Sequence, residues 1–241
     1  MTGDKFWNEK FALGYVNNKS CRSYKILTWY ESDADKVGGN KIYEFSSDSW
    51  RVLDHVSLDY NIEKNDVSLN GNAYWIAYEE IHTSNEELLL SFDFTRERFR
   101  RLCLPTFQNH VWMALSSVRE EQLSVLHRSF GASKIEIWVT NKIDTEAALW
   151  SISFTVDITI HINSFQFPTS FLIDEEKKVA VCFNLHTTLP LKFTIEKYYT
   201  EAPFVETSQV SWTWRPFIFN YVPSLTQIQQ EEANEKKETC R

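Results

Sequence analysis

The chain has 241 residues, 43% of them hydrophobic and 15% aromatic, and a formal net charge of −8 at pH 7. The acidic balance argues against broad contact with nucleic acid phosphates, which requires a basic surface. No stretch approaches the roughly 18 uninterrupted apolar residues of a membrane-spanning helix. The length and the aromatic content suit one all-β domain with a large core, and we expect neither a nucleic acid nor a membrane as a partner.

Short runs of alternating apolar and polar residues recur along the chain in pairs that are separated by polar turns. This period of two is typical of half-buried strands, so each pair predicts a β-hairpin. Asn70 and Gly71 give the strongest turn signal, because both residue types tolerate a positive φ. In chain order, the predicted strand pairs are 11–16 with 24–29, 42–45 with 50–53, 67–69 with 73–77, 88–94 with 99–104, 111–115 with 123–126, 135–140 with 149–154, and 171–173 with 179–183.

Two kinds of hairpin alternate along the chain, so one repeat contains four strands. Trp50, Phe99 and Trp150 take equivalent places in successive repeats, and a spacing of roughly 50 residues lies in the range of kelch repeats. Four antiparallel strands per repeat form a propeller blade. We therefore predict an all-β, kelch-like β-propeller, with an all-β sandwich that lacks a true repeat as the alternative. The predicted four-stranded antiparallel blades span residues 11–54, 67–105, 111–157 and 169–200, the last without a recognisable aromatic landmark.

The two ends of the chain differ from the repeats. Residues 1–10 carry little pattern, whereas residues 211–215 alternate again and residues 217–222 predict a last strand. From about residue 227 the chain is rich in Gln, Glu and Lys, a composition that favours a solvated tail. The predicted division is a lead-in at 1–10, one β-propeller-like domain at 11–228 and a polar tail at 229–241.

No residue pattern identifies a catalytic, cofactor-binding or metal site. The chain contains no zinc spacing, EF-hand loop, P-loop or nucleophile elbow. At the strand position of His161, a structural histidine is more common than a metal ligand. Two charged clusters are better explained as solvated turns than as a basic patch or an acid–base pair, and we predict no enzyme activity and no cofactor. The first cluster is Arg96, Arg98, Arg100 and Arg101, and the second is Asp174, Glu175, Glu176, Lys177 and Lys178. Trp212 and Trp214 are expected to pack in the core or within a blade.

The four cysteines predict a reducing compartment. Cys21, Cys103, Cys182 and Cys240 lie far apart and form no C-x-x-C pair. Cys103 and Cys182 fall within strand patterns, where a buried thiol is ordinary. Because residues 1–10 also lack the apolar segment of a signal peptide, we expect the cytosol or the nucleus.

Seven stretches of the chain match the sequence of one family in the same order. They are residues 42–53 (IYEFSSDSWRVL), 67–75 (VSLNGNAYW), 90–99 (LSFDFTRERF), 115–123 (LSSVREEQL), 135–140 (IEIWVT), 173–181 (IDEEKKVAV) and 221–225 (YVPSL). Together they resemble the F-box associated domain of the plant F-box protein family. In that family a kelch-like propeller region follows an F-box, which docks on the Skp-type adaptor of an SCF ubiquitin ligase. The resemblance therefore implies a non-catalytic module that binds a protein substrate for ubiquitination.

The start of the chain departs from the family pattern. No helical segment opening with Leu-Pro precedes the first predicted strand, so we do not expect this chain to dock on the adaptor. Two other interpretations are a truncated relative without a ligase role, either a competitor or a decayed copy, and an enzyme on a propeller scaffold. With so little upstream chain, we expect an open arc of blades, or a ring closed by other contacts. The unpaired first and last blades of an arc would invite association.

Overall fold

The computed structural model shows strands, turns and no helix in the residues that it describes. No helix capable of crossing a membrane occurs among them. The predicted strands at 211–215 and 217–222 and the side chains of His161, Trp212 and Trp214 lie outside these residues. The described residues are 9–18, 21–30, 40–53, 60–62, 66–79, 87–107, 110–119, 121–129, 134–144, 147–157, 168–174, 176–177, 179–184, 190–194 and 198–200.

The strands are short and pair in an antiparallel sense with neighbours in sequence. In chain order they are β1 (Glu9–Asn18), β2 (Cys21–Tyr30), β3 (Lys41–Glu44), β4 (Ser49–Val52), β5 (Tyr60–Ile62), β6 (Val67–Leu69), β7 (Asn72–Glu79), β8 (Glu87–Asp93), β9 (Arg98–Leu102), β10 (His110–Val118), β11 (Gln122–Ser129), β12 (Lys134–Ile143), β13 (Ala148–Asp157), β14 (Pro168–Asp174), β15 (Val179–Asn184), β16 (Pro190–Thr194) and β17 (Tyr198–Thr200).

These strands form four antiparallel sheets, which confirms the predicted blades. Sheet 1 has the order β1-β2-β3-β4, sheet 3 the order β10-β11-β12-β13 and sheet 4 the order β14-β15-β16-β17. Sheet 2 has the order β5-β7-β8-β9, and β6 also pairs with β7. The predicted start of sheet 2 at residue 67 was wrong, because the sheet also contains β5. That strand is too short to show an alternating pattern in the sequence. The chain divides into two compact units, unit 1 with β1–β9 and unit 2 with β10–β17.

The predicted aromatic landmarks occupy the last strand of each of the first three sheets. Trp50 lies in β4, Phe99 in β9 and Trp150 in β13. Tyr199 lies in β17 at a similar spacing, so the fourth sheet also carries an aromatic residue at this place. It was not recognised as a landmark from the sequence, because the amino acids before it do not show the polar pattern that precedes Trp50 and Phe99.

The core of unit 1 lies between one face of sheet 1 and one face of sheet 2. Trp29 of sheet 1 packs edge-on against Trp75 of sheet 2, with ring centroids 5.3 Å apart. Both rings are almost completely buried. The same apolar cluster includes Ala12, Leu27, Ile42 and Leu53 from the region of sheet 1, and Ile62, Ala73, Ala77, Leu88, Leu90, Phe92 and Phe94 from the region of sheet 2.

Two glycines allow the sheets of unit 1 to approach closely. The Tyr15 amide donates a hydrogen bond to the Gly71 carbonyl at 3.1 Å. A Cβ atom at Gly14 would lie 2.1 Å from Cδ2 of Phe94 and 2.5 Å from the Gly71 oxygen, so no other residue fits there without a shift. Asn70 and Gly71 both have positive φ values, 51° and 82°, which confirms the predicted two-residue hairpin turn.

Unit 2 has an apolar core of its own. It contains Ala114, Leu126, Ile135, Ile137, Phe154, Val156, Phe171 and Ala180, all buried. Ser116 supports the packing of β10 on β14 by donating a hydrogen bond to the Phe171 carbonyl at 2.6 Å.

Candidate interaction surface

The turn between β8 and β9 is organised by the buried carboxylate of Asp93. Its Oδ1 accepts hydrogen bonds from the backbone amides of Thr95 (2.9 Å) and Arg96 (3.0 Å). Its Oδ2 pairs with the guanidinium groups of Arg96 (3.0 Å) and Arg100 (3.3 Å). Burial alone would raise the pKa of Asp93, but these donors outweigh it and hold the pKa below its usual value. The turn is therefore fixed by its own side chains.

A second acid, Glu97, ties this turn to sheet 1. Its Oε1 accepts a hydrogen bond from Lys25 Nζ at 2.6 Å and another from Arg51. Arg51 and Lys25 also pair with Glu44 at 3.0 and 3.4 Å. Burial opposes ionisation of Glu97, yet the two cations outweigh it and lower its pKa; the pKa of Glu44 is lowered chiefly by the hydrogen bond from Arg51. The four side chains form one ion-pair network between sheets 1 and 2.

The four arginines near this turn do not form one solvated group. Arg96 is half-exposed, as predicted for a solvated turn, but Arg100 is mostly buried against Asp93. Arg101 lies 5.6 Å from the centroid of the Tyr60 ring, in a cation–π contact. Along β9, Arg98 and Arg101 are exposed. The prediction of a solvated turn is thus correct for Arg96 and wrong for Arg100, because no local pattern indicates that Asp93 is buried.

One face of sheet 1 is apolar and exposed, and we call it the outer face. Phe11 and Leu13 of β1 are 55% and 44% exposed, and Trp50 and Val52 of β4 are 51% and 53% exposed. These are all the large exposed hydrophobic residues among the described part of unit 1. The strand register places them in two rows of this face, Phe11-Thr28-Lys41-Val52 and Leu13-Ile26-Tyr43-Trp50.

A pocket opens on the outer face. Its volume is about 320 Å³, and it is lined by Thr28, Lys41, Trp50, Arg51 and Val52. Thr28 is completely buried, and its hydroxyl has no hydrogen-bond partner among the described residues. Because a buried hydroxyl without a partner is costly, the floor of this pocket is suited to a further polar contact.

His127 and Asp174 are held by contacts within the fold. His127 is buried and stacks on Phe107, with ring centroids 3.8 Å apart. Asp174 accepts the Lys177 amide at 3.0 Å and pairs with the exposed Lys177 ammonium, as predicted for a solvated turn. Within the described ranges, no three His, Cys, Asp or Glu side chains come together as a metal site would require.

The cysteine prediction needs one correction. Cys103 was expected to be a buried strand residue, but β9 ends at Leu102 and the Cys103 side chain is exposed. Cys21 is partly exposed at the start of β2, whereas the side chain of Cys182 and all of Cys240 lie outside the described residues.

Comparison with known proteins identifies the family. The F-box associated beta propeller domain matches residues 4–228. The chain belongs to this family. It is 46% identical over 241 residues to an F-box only protein 9 of Arabidopsis thaliana. That alignment covers 95% of this chain and 62% of that protein. It is 51% identical over 231 residues to an F-box/kelch-repeat protein of the same plant, covering 92% of this chain and 61% of that protein. The chain thus spans less than two thirds of either relative.

This membership confirms the resemblance drawn from the seven stretches. Several of them lie within the sheets: residues 42–53 contain most of the β3–β4 hairpin, 67–75 the β6–β7 turn and 90–99 most of the β8–β9 hairpin. The F-box associated domain of this chain is therefore an all-β protein-interaction module of the substrate-recognition type. The predicted domain boundaries remain predictions.

Proposed function

We propose that the chain recognises a protein substrate on behalf of an SCF-type ubiquitin ligase and carries out no chemistry of its own. The observation that carries this proposal is the match of the F-box associated beta propeller domain to residues 4–228. Both relatives are named as F-box proteins, in agreement with such a role. In this proposal a Skp-type adaptor is bound by an F-box and not by the β-sheets described above.

The turns at one end of sheets 1 and 2 are suited to recognition. Ser46, Ser47, Thr95 and Arg96 are exposed in turns 45–48 and 94–97. The Asp93 and Glu97 ion pairs hold the second turn in place before any partner arrives. Preorganised loops lose little conformational entropy on binding, and binding loops on a rigid scaffold are common. We assign part of the substrate-binding surface to these two turns.

A substitution in the first of these turns tests that assignment. Ser46→Arg places a long cation on the exposed turn, and we expect capture of partner proteins to fall about tenfold, equivalent to about 1.4 kcal/mol. Ser46→Ala is the matched control and should capture the same proteins as the unsubstituted chain. Equal capture by both variants, with unchanged thermal unfolding, would remove the turns from the binding surface.

The expected location follows from the same proposal. An SCF-type role, together with cysteines that form no C-x-x-C pair, supports the cytosol or the nucleus. Microscopy of a fluorescent fusion in plant cells tests this, and an extracellular signal would contradict it.

Co-purification with a Skp-type adaptor separates the two family interpretations. The chain alone and the chain with a family F-box fused in front are each mixed with the adaptor. We expect only the fused chain to retain it. Retention by the chain alone would mean that the β-sheets contact the adaptor themselves. If the fused chain retains the adaptor but never directs ubiquitination, the interpretation as a relative without a ligase role is favoured.

A further inference from the structure

The pocket on the outer face of sheet 1 is built mainly from one row of paired residues. Thr28 of β2 pairs with Lys41 of β3, and Lys41 pairs with Val52 of β4. Directly paired residues of antiparallel strands place their side chains on the same face of the sheet. These three side chains therefore stand side by side on the outer face, and Trp50 lines the pocket from the neighbouring row.

The Thr28 hydroxyl lies at the floor of the pocket without a hydrogen-bond partner. The residue is completely buried, and its hydroxyl oxygen has no partner among the described residues. Such a group destabilises the unbound protein, because its hydrogen bonds to water are lost and are not replaced. A ligand atom that reaches the floor can supply the missing partner, and the hydroxyl can donate to an oxygen atom there.

Lys41 supplies the positive charge of the pocket. Its side chain is exposed and makes no ion pair with the described residues. Arg51 also lines the pocket, but its guanidinium pairs with Glu44 and Glu97. The described lining residues include no carboxylate, although the chain carries a net charge of −8. The pocket is thus complementary to an anionic group.

The apolar wall of the pocket is held in place before any ligand arrives. The Trp50 ring packs against Tyr43, with ring centroids 5.2 Å apart, and Tyr43 packs against Phe45 at 5.0 Å. The Tyr43 hydroxyl also donates a hydrogen bond to Asp48. An apolar wall beside a cation strengthens the attraction for an anion, because less water surrounds the pair.

We infer that this pocket binds the side chain of a glutamate of a partner protein. The carboxylate accepts hydrogen bonds from the Lys41 ammonium and the Thr28 hydroxyl, and the two methylene groups contact Trp50 and Val52. A volume of about 320 Å³ lies at the lower end of the range for ligand pockets, which suits one side chain better than a large cofactor. The inference rests on the proposed recognition of a protein, but it requires no ligase.

Selection from a displayed library of random peptides tests the assignment. The complete chain is the target, and no ligase component is present. We expect the enriched peptides to share a glutamate at one position. A synthetic peptide with the enriched sequence should bind about tenfold more tightly than the same peptide with glutamine at that position. Fluorescence anisotropy of the two labelled peptides measures both affinities.

Two variants of the chain show whether the glutamate lies in the pocket. Lys41→Met keeps an unbranched side chain without the charge and should abolish the preference for glutamate over glutamine. Thr28→Val keeps the shape of the side chain without the hydroxyl and should weaken binding of the glutamate peptide about tenfold. The midpoint of thermal unfolding should not fall in Thr28→Val, because the hydroxyl has no partner in the unbound chain. Lys142→Met, at an exposed lysine of sheet 3, is the matched control and should bind both peptides as the unsubstituted chain does.

Several results would overturn the assignment. Enriched peptides that share no acidic position would remove the glutamate and leave protein recognition in place. A preference for glutamate that survives Lys41→Met would put the carboxylate at another site. A lower thermal midpoint in Thr28→Val with unchanged peptide affinity would make the hydroxyl a structural group. A library without any enriched peptide would also count against the pocket, whereas failure of the ligase role would be seen in the adaptor and ubiquitination assays alone.

Discussion

Glu97 links the two sheets of unit 1 through charges rather than through apolar packing. It accepts hydrogen bonds from both Lys25 and Arg51, and its side chain is only 20% exposed. Glu97→Gln removes one of the two carboxylates that pair with Lys25 and Arg51, and Glu44 is the other. We expect the free energy of unfolding to fall by about 2 kcal/mol. Chemical denaturation of the variant measures this loss. Glu121→Gln, at an exposed glutamate, is the control and should change the free energy of unfolding by less than about 0.5 kcal/mol.

The carboxylates of this network and of Asp93 are expected to make the folded protein sensitive to acid. The pKa values of Asp93, Glu97 and Glu44 are all lowered in the folded state. Carboxylates of this kind contribute stability that is complete above their unfolded pKa of about 4 and is lost as the pH falls through the folded values. We expect a thermal midpoint that is steady between about pH 7 and pH 5 and declines below about pH 4. Asp93→Asn should flatten that decline, and an unchanged slope would contradict the role given to Asp93.

Among the strands, the packing of β1 against sheet 2 requires that residue 14 has no side chain. A Cβ atom at Gly14 would overlap the Phe94 ring and the Gly71 carbonyl. Gly14→Ala is therefore expected to cost about 2 to 4 kcal/mol, because both neighbours belong to the packed contact between the sheets. Asn17→Ala, at an exposed residue of the same strand, should cost far less. Equal free energies of unfolding for the two variants would show that the sheets separate more easily than their packing implies.

The hairpins could be read from the sequence because their signals are local. An alternating run, a polar turn and a second run identify β8 and β9 without any knowledge of the rest of the fold, and the Asn70-Gly71 pair specifies its turn directly. β5 was not predicted, because its three residues are too few to show an alternating pattern. Cys103 was misplaced because the end of β9 is decided by pairing with β8, which the apolar run does not reveal.

The candidate surface was harder to predict for a physical reason. Residues 11–16 read as a nearly continuous apolar run, which is the pattern of a strand buried on both faces. That pattern does not say which face is covered by the same chain. Only the register shows that Phe11, Leu13, Trp50 and Val52 share the outer face. Likewise, the burial of Asp93 and Arg100 depends on contacts across sheets.

At the scale of the whole molecule, four antiparallel sheets follow one another along a chain of the F-box associated beta propeller family. Stacked sheets of this type bury each face against a neighbour, and a face without a neighbour stays apolar and exposed. The expectation of an open arc, or of a ring closed by other contacts, stays a prediction. Sedimentation at several concentrations checks it: an arc should self-associate, whereas a monodisperse monomer with one cooperative unfolding transition would argue against it.

Ubiquitination of a captured partner in a reconstituted ligase tests the role of the chain in substrate recognition. The chain is fused to a family F-box and assembled with a Skp-type adaptor, a cullin and the ubiquitin-transfer enzymes, with the F-box segment alone as the control. We expect a protein captured by the unfused chain to be modified only when the fused chain is present. We also expect an excess of the unfused chain to suppress the reaction. Captured proteins that stay unmodified, or are modified equally with the F-box segment alone, would contradict a role in substrate recognition.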